Sequence, residues 1–139
     1  MEKIRNVLIL CTGNSCRSQM AEGLINHYLG DSWKAYSAGT EPSGYVHPLA
    51  VKAMAELDID ISGNVSTSVD SFRTTRFDQV ITVCDDANEK CPLWLGPGIV
   101  THIGFIDPAK ATGSDAQKMN VFRQVRDEIR SDLLAHLAH

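Results

Sequence analysis

The sequence is poor in cysteine, has no basic cluster and has no long apolar run, and each scarcity excludes a class of protein. Four cysteines in 139 residues are too few for a secreted domain held together by disulfides. No apolar run approaches the roughly 20 residues that span a bilayer. A net charge of −4 without a basic patch makes nucleic acid and anionic membranes unexpected partners. No secretion signal is recognisable, so we expect a cytoplasmic protein. We separately expect a monomer.

The remaining composition is that of an ordinary globular chain. Apolar residues make up 43% and charged residues 22%, which suffices for one hydrophobic core and predicts a single domain over residues 1–139. Hydrophobic patterning alternates between the two main periods. It predicts strands at Ile4–Leu10, Trp33–Ser37, Gln79–Val83 and Ile99–Phe105, and helices at Ser18–Leu29, Pro48–Leu57, Ser68–Arg76 (short) and Ser114–Leu137.

This alternation favours an α/β fold with a parallel sheet and right-handed crossovers. Cys11, Cys84 and Asp107 each fall at or just after the carboxyl end of a predicted strand. Ligands of such sheets bind beyond the carboxyl ends of the strands. We therefore expect these three side chains to share one site.

The stretch from Cys11 to Ser18 joins a predicted strand to a predicted helix. A short loop with Gly13 can turn its N–H groups inward, and the helix start adds further donors and a positive dipole. The Arg17 guanidinium can hold two oxygens of a tetrahedral anion. The same groups favour the thiolate form of Cys11, which predicts a nucleophile. The predicted oxyanion-binding residues are Thr12, Gly13, Asn14, Ser15, Cys16, Arg17 and Ser18.

This octet resembles the phosphate-binding loop of the low-molecular-weight protein tyrosine phosphatase superfamily, which reads C-x-G-N-x-C-R-S. The resemblance implies that Cys11 is the nucleophile and Arg17 the oxyanion clamp. It also implies that Asn14 holds the loop shape and that Ser18 donates a hydrogen bond to the thiolate. Phosphate and arsenate both fit such a loop, so the loop alone leaves the reaction open.

Cys84 and Cys91 form a second cysteine pair, separated by a polar segment. The pair can form a disulfide only if that segment bends or unwinds. Two unrelated thiols, or half of a metal site, remain alternatives, although the spacing is not the C-x2-C of zinc sites. Beside an oxyanion loop, redox chemistry is the favoured interpretation.

Taken together with the oxyanion loop, the pattern around Cys84 and Cys91 resembles that of the thioredoxin-coupled arsenate reductase family. Matching motifs run over nearly the whole chain, for example Tyr36–Gly39, Cys84–Ala87, Lys90–Pro92 and Phe122–Ile129. The family fold is a four-stranded parallel sheet of flavodoxin-like type with helices on both faces. The resemblance implies that a three-cysteine relay through Cys11, Cys84 and Cys91 reduces arsenate, with thioredoxin as the reductant.

Asp107 precedes Pro108 after an apolar run, which by itself indicates a turn. The leaving oxygen of an oxyanion needs a proton, and a nearby carboxyl group can supply it. Resemblance to both families implies this general-acid role for Asp107. The phosphatases usually carry a tyrosine just after Asp-Pro, where this chain has Ala109, and that difference favours a small inorganic substrate.

No cofactor is required by this chemistry. Some of the reductases bind potassium near the loop, and by resemblance Asn14, Glu22 and Ser37 match ligand positions. The position that usually carries an aspartate is Thr67 here. Two other functions remain open: a phosphatase with Cys84 and Cys91 as bystanders, and a non-enzymatic thiol module that binds arsenite or a metal.

Overall fold

The computed structural model describes residues 3–85, 94, 96 and 98–138. Strands, helices and loops follow one another in the order that the periodicity predicts. The strands are β1 (Arg5–Cys11), β2 (Trp33–Gly39), β3 (Gln79–Thr82) and β4 (Ile99–His102), the α-helices are α1 (Arg17–Tyr28), α2 (Pro48–Ala55) and α3 (Asp115–Leu137), and two 3₁₀ helices span Val69–Phe72 and Pro108–Lys110.

The four strands form one parallel sheet in the order β2-β1-β3-β4, which confirms the predicted fold class. The strand β1 is central, and Leu8 pairs with Tyr36 of β2 on one side and with Val80 of β3 on the other. The chain passes to one side of β1 and then crosses to its other side. The carboxyl end of β1 is therefore the topological switch point, where α/β sheets bind ligands.

Alternate residues of β1 enter two separate cores, as the period of a strand requires. Val7 and Ile9 pack with the three α-helices, whereas Leu8 and Leu10 pack on the opposite face. On that second face, the 3₁₀ helix Val69–Phe72 and an aromatic cluster that includes Phe77 and Trp94 provide the cover.

Local capping signals explain where α2 and α3 begin. Ser114 accepts a hydrogen bond from the Gln117 N–H, and the Gln117 side chain accepts one from the Ser114 N–H, so α3 begins with a complete capping box. His47 Nδ1 accepts from the Leu49 N–H at 3.1 Å, and Pro48 occupies the first turn of α2.

Two predicted elements are shorter in the structure by three residues or more. The segment predicted as a helix over Ser68–Arg76 forms only the 3₁₀ helix Val69–Phe72, capped by Ser68. The strand predicted over Ile99–Phe105 ends at His102. Beyond it, the Phe105 N–H still donates to the Val83 carbonyl at 3.1 Å. That bond holds the chain beside β3 as it leads into Asp107.

Within the described ranges, no helix combines the length and the apolar character that a bilayer crossing demands.

Candidate active site

A cavity of about 260 Å³ opens at the carboxyl end of β1, the position that the strand pattern predicts. The structure brings together three of the predicted catalytic residues here: the nucleophile, the arginine and the acid. The cavity is lined by Cys11, Thr12, Gly13, Ser15, Cys16, Arg17, Asp107 and Lys110.

Cys11 is the last residue of β1 and is 2% exposed. The Ser18 hydroxyl donates to its Sγ atom at 3.5 Å. Cys16, the second cysteine of the loop, differs chemically, because burial raises the pKa of its thiol to about 12. Both are free thiols, but Cys16 remains protonated at neutral pH and is not a competing nucleophile.

The loop after Cys11 is held from outside by its carbonyl groups. Thr12, Gly13 and Ser15 accept hydrogen bonds at 3.0, 2.9 and 3.0 Å from the N–H groups of Glu41, Ser43 and His47, respectively. These bonds fix the direction of three carbonyls of the loop, and a short loop that turns its N–H groups inward is a typical anion-binding site. Residues 41–47 therefore act as a strap that shapes the oxyanion loop.

The left-handed turn of the loop falls at Asn14, the residue that the family resemblance predicts to hold the loop shape. Asn14 has a φ of 49°, in the left-handed region that asparagine tolerates better than most residues. Asn14 and Ser18 are fully buried and do not line the cavity. They lie behind the loop, where Asn14 Nδ2 donates to Ser18 Oγ at 2.7 Å.

Arg17 begins α1 and is 3% exposed. Its Nη1 donates to the Phe105 carbonyl at 3.2 Å, and its Nη2 lies 3.7 Å from Asp107 Oδ2. The other carboxylate oxygen of Asp107 accepts from the Ala109 N–H at 3.0 Å. These contacts hold the acid beside the arginine, where both can reach the same ligand.

Lys110 is a cavity residue that the sequence analysis missed. Its N–H donates to the Asp107 carbonyl at 3.2 Å, because the chain turns through the 3₁₀ helix Pro108–Lys110. The spacing of three residues after an Asp-Pro turn was the available signal. It brings a second cationic residue to the lining of the cavity, besides Arg17.

Cys84 follows β3, is fully buried, and is disulfide-bonded in this structure. Cys91, the other cysteine of the predicted relay, lies outside the described residues. The disulfide-bonded Cys84 therefore lies just after the carboxyl end of β3, as predicted, but it is not among the residues that line the cavity.

Glu22 and Ser37, matched above to potassium ligands, are in contact, since the Ser37 hydroxyl donates to Glu22 Oε1 at 3.2 Å. Burial raises the pKa of the Glu22 carboxyl. The second carboxylate oxygen accepts from Asn64 Nδ2 at 3.0 Å, and Asn14 Oδ1 accepts from Gln19 and from the Thr67 N–H. These side chains bond to one another and to neighbouring protein groups, and potassium binding by Asn14, Glu22 and Ser37 stays a prediction.

A statistical model of the family "Low molecular weight phosphotyrosine protein phosphatase" matches residues 6–139. The chain is 51% identical over 127 residues to the arsenate reductase of Bacillus subtilis (strain 168), covering 91% of both chains. It is 53% identical over 123 residues to the arsenate reductase of Halalkalibacterium halodurans, covering 88% of both.

Solved structures with the same fold include an arsenate reductase in the phosphate binding state. That chain is 32% identical, with a TM-score of 0.77 and coverage of 97% of this chain and 98% of that one. A thioredoxin-dependent arsenate reductase from Corynebacterium glutamicum is 25% identical, with a TM-score of 0.64. The match covers 98% of this chain and 64% of that one.

Proposed function

Since the chain belongs to the low-molecular-weight phosphotyrosine protein phosphatase family, and its relatives at 51% and 53% identity are named arsenate reductases, we propose that it reduces arsenate to arsenite. The observation that carries the proposal is the placement of Cys11, Arg17 and Asp107 around one cavity, while a disulfide-forming cysteine follows the adjacent strand.

The first step is nucleophilic. The Cys11 thiolate attacks arsenic(V) and forms a sulfur–arsenic bond. Arg17 and the N–H groups of the loop hold the remaining oxygens. Asp107 gives its proton to the departing oxygen, which leaves as water.

The second step is the reduction. The Cys84 thiolate attacks the Cys11 sulfur, and the electron pair of the sulfur–arsenic bond passes to arsenic, which leaves as arsenite. Two electrons reduce arsenic(V) to arsenic(III), and the two sulfurs are oxidised to a Cys11–Cys84 disulfide. Cys91 then attacks Cys84, which releases the Cys11 thiolate and forms a Cys84–Cys91 disulfide.

A dithiol donor must return the enzyme to its reduced state, and we propose thioredoxin. One solved relative is named a thioredoxin-dependent arsenate reductase, and a free Cys11 together with a disulfide-bonded Cys84 matches the state in which such a donor is needed. We also propose that the protein works in a reducing compartment, the cytoplasm.

A phosphatase is the second candidate, because the family is named for that activity and the cavity admits phosphate as readily as arsenate. Ala109 lines a neighbouring cavity and provides no aromatic ring to the one that holds Cys11. We therefore propose that phosphoester hydrolysis is a minor activity.

The experiment compares arsenate turnover, driven by thioredoxin, thioredoxin reductase and NADPH, with hydrolysis of p-nitrophenyl phosphate. Cys11→Ser should abolish both activities. Cys84→Ser and Cys91→Ser should abolish arsenate turnover and spare hydrolysis. The Cys91→Ser protein should release one arsenite per molecule and retain a Cys11–Cys84 disulfide, detected by mass mapping. Repeated arsenate turnovers by Cys91→Ser would refute the relay.

A further inference from the structure

Behind the oxyanion loop, a line of side chains connects the surface to the nucleophile. Asn64 Nδ2 donates to Gln19 Oε1 at 3.2 Å, and Gln19 Nε2 donates to Asn14 Oδ1 at 3.0 Å. Asn14 Nδ2 donates to Ser18 Oγ at 2.7 Å, and Ser18 donates to Cys11 Sγ at 3.5 Å. We call Asn64, Gln19, Asn14, Ser18 and Cys11 the donor chain, since every bond in it points toward the sulfur.

The direction of the chain at Asn14 is set by a backbone group. The Thr67 N–H donates to Asn14 Oδ1 at 2.7 Å. A backbone N–H can only donate, so the atom that faces it must be the amide oxygen. The amide nitrogen of Asn14 consequently faces Ser18.

The direction at Gln19 is set in the same way by carbonyls. Gln19 Nε2 lies 3.0 Å from the Val65 carbonyl and 3.2 Å from the Asn14 carbonyl. Carbonyls can only accept, so this end of the side chain must be the nitrogen. Its Oε1 then faces Asn64, whose Nδ2 also donates to Glu22 Oε2 at 3.0 Å.

Ser18 can donate only one hydrogen bond, because a hydroxyl has one proton. Its oxygen accepts from Asn14 Nδ2, so the hydroxyl proton is free to point at Cys11 Sγ. A hydrogen bond from the hydroxyl stabilises a thiolate more than a thiol. Aligned donors also polarise one another in a buried chain, and Gln19, Asn14 and Ser18 are fully buried.

We propose that Gln19 and Asn64 are positioning residues for the thiolate chemistry of Cys11, a proposal that rests on the function proposed above. Gln19 and Asn64 act through Asn14, because they hold its left-handed backbone and the orientation of its side-chain amide. In that orientation the amide nitrogen faces Ser18, whose hydroxyl proton then points at the Cys11 sulfur. Neither residue lines the substrate cavity, so both act through Asn14 and Ser18 rather than on the substrate directly.

The test measures the pH dependence of Cys11 alkylation by iodoacetamide in the oxidised protein, in which Cys84 is blocked by its disulfide. Fragment-ion mass spectrometry separates Cys11 from Cys16, which stays protonated because burial raises its pKa to about 12. The variants are Asn64→Leu and Gln19→Met, which remove the amides without adding charge. Asn64 is only half-buried, so its variant keeps the test valid if Gln19→Met fails to fold.

We expect the pH midpoint of alkylation to rise by about one unit in both variants, equivalent to about a tenfold loss of thiolate at a given pH below the midpoint. The matched control is Asn26→Leu, which removes an amide bonded to both backbone groups of Ala35 on β2 and lies outside the donor chain. It should keep the wild-type midpoint.

Wild-type midpoints in folded Asn64→Leu and Gln19→Met would overturn the proposal, as would an equal shift in Asn26→Leu. Because alkylation needs no arsenate, this result is independent of the proposed function. A protein that shifts as expected but does not reduce arsenate would refute the function and keep the positioning role.

Discussion

Arg17 carries its charge into the interior of the protein, at 3% exposure, and its contacts explain how the site tolerates this. The Phe105 carbonyl and the Asp107 carboxylate both face its guanidinium. Buried charges need such partners, because desolvation of an isolated charge costs several kcal/mol or more. The same geometry aims the planar group at the cavity.

At this residue, Arg17→Lys should keep the fold and weaken oxyanion binding. A lysine retains the charge but cannot contact two oxygens of the anion in a fixed plane while it also contacts the Phe105 carbonyl. We expect the Kd for phosphate, measured by isothermal titration calorimetry, to rise by about tenfold or more. An unchanged Kd would assign binding to the loop N–H groups alone.

Asp107→Asn should slow formation of the sulfur–arsenic adduct by about 10²–10⁴-fold. The amide preserves the shape and can still accept from the Ala109 N–H, but it has no acidic proton to give. Rapid-quench analysis of a single turnover measures the step. The later disulfide exchange, started from a preformed Cys11–Cys84 disulfide, should proceed at the wild-type rate, and wild-type adduct formation would reduce Asp107 to a turn residue.

At the scale of elements, the end of β2 and the oxyanion loop are in close backbone contact. A Cβ atom at Gly39 would lie 2.4 Å from the Thr12 carbonyl oxygen, so only glycine allows this approach. The Gly39 N–H also donates to the Thr67 carbonyl at 2.9 Å. Through Gly39, β2 therefore contacts both the oxyanion loop at Thr12 and the segment at Thr67, and it fixes the distance between these two segments.

Gly39→Ala should consequently displace the loop, with a loss of stability of about 2 kcal/mol or more and a parallel loss of phosphate affinity. Urea unfolding and calorimetry measure the two effects. Gly63→Ala is the control, since a Cβ atom there meets nothing within 4 Å. Equal effects of the two substitutions would exclude the close approach as the cause.

The helices α2 and α3 are joined by an ionic cluster. Glu56, the residue after α2, accepts from Arg123 and Arg126 of α3 at distances of 2.8 to 3.0 Å. Hydrogen bonds from Arg123 and Arg126 lower the pKa of the Glu56 carboxyl from 4.5 to about 2. Arg126 is 7% exposed and also donates to the Ala53 carbonyl, so the cluster reaches into the core.

This cluster predicts a loss of stability in acid. A folded pKa below the unfolded one means that the stabilisation is complete above about pH 4.5 and is lost as the pH falls toward 2. Because Glu56 is 38% exposed, solvent screening reduces its contribution to about 1 kcal/mol. The free energy of unfolding of Glu56→Gln should be lower than wild type at pH 7 and should converge with it toward pH 2. Glu128→Gln, on the outer face of α3, should match wild type throughout.

At the scale of the whole molecule, the site gathers segments that lie far apart in the chain. Contacts at the oxyanion loop come from β1, from the strap of residues 41–47, from the segment 64–67 and from Phe105–Lys110. An anion that fills the cavity therefore bridges parts of the protein that separate on unfolding. Binding to the folded state alone adds about 2.7 kcal/mol when the ligand is at 100 times its Kd.

Phosphate should accordingly raise the unfolding temperature by several degrees, measured by differential scanning calorimetry in oxidised protein. Sodium chloride at equal ionic strength should have a smaller effect, since chloride lacks the four oxygens that the loop and Arg17 would bind. The Arg17→Lys protein should lose most of the increase at the same phosphate concentration. An increase equal to that of sodium chloride would mean that phosphate does not occupy the cavity.

The sequence by itself determined the parallel sheet, the order of its elements and the core of the site. Cys11, Cys84 and Asp107 were predicted to share one site. Cys11 and Asp107 do line one cavity together with Arg17, whereas Cys84 is not among its lining residues, and the roles assigned to these residues stay predictions. These expectations could be made locally, because hydrophobic periods, helix caps and the loop between a strand and a helix depend on neighbouring residues.

Only the tertiary structure decided which groups surround these central residues of the site. Asn64 reaches Gln19 across 45 positions, and Arg17 reaches the Phe105 carbonyl across 88. Such contacts depend on strand order and on where each crossover returns the chain, which no local pattern specifies. The left-handed backbone at Asn14 depends on such a contact too, since the Thr67 N–H, 53 positions away, donates to the Asn14 side chain.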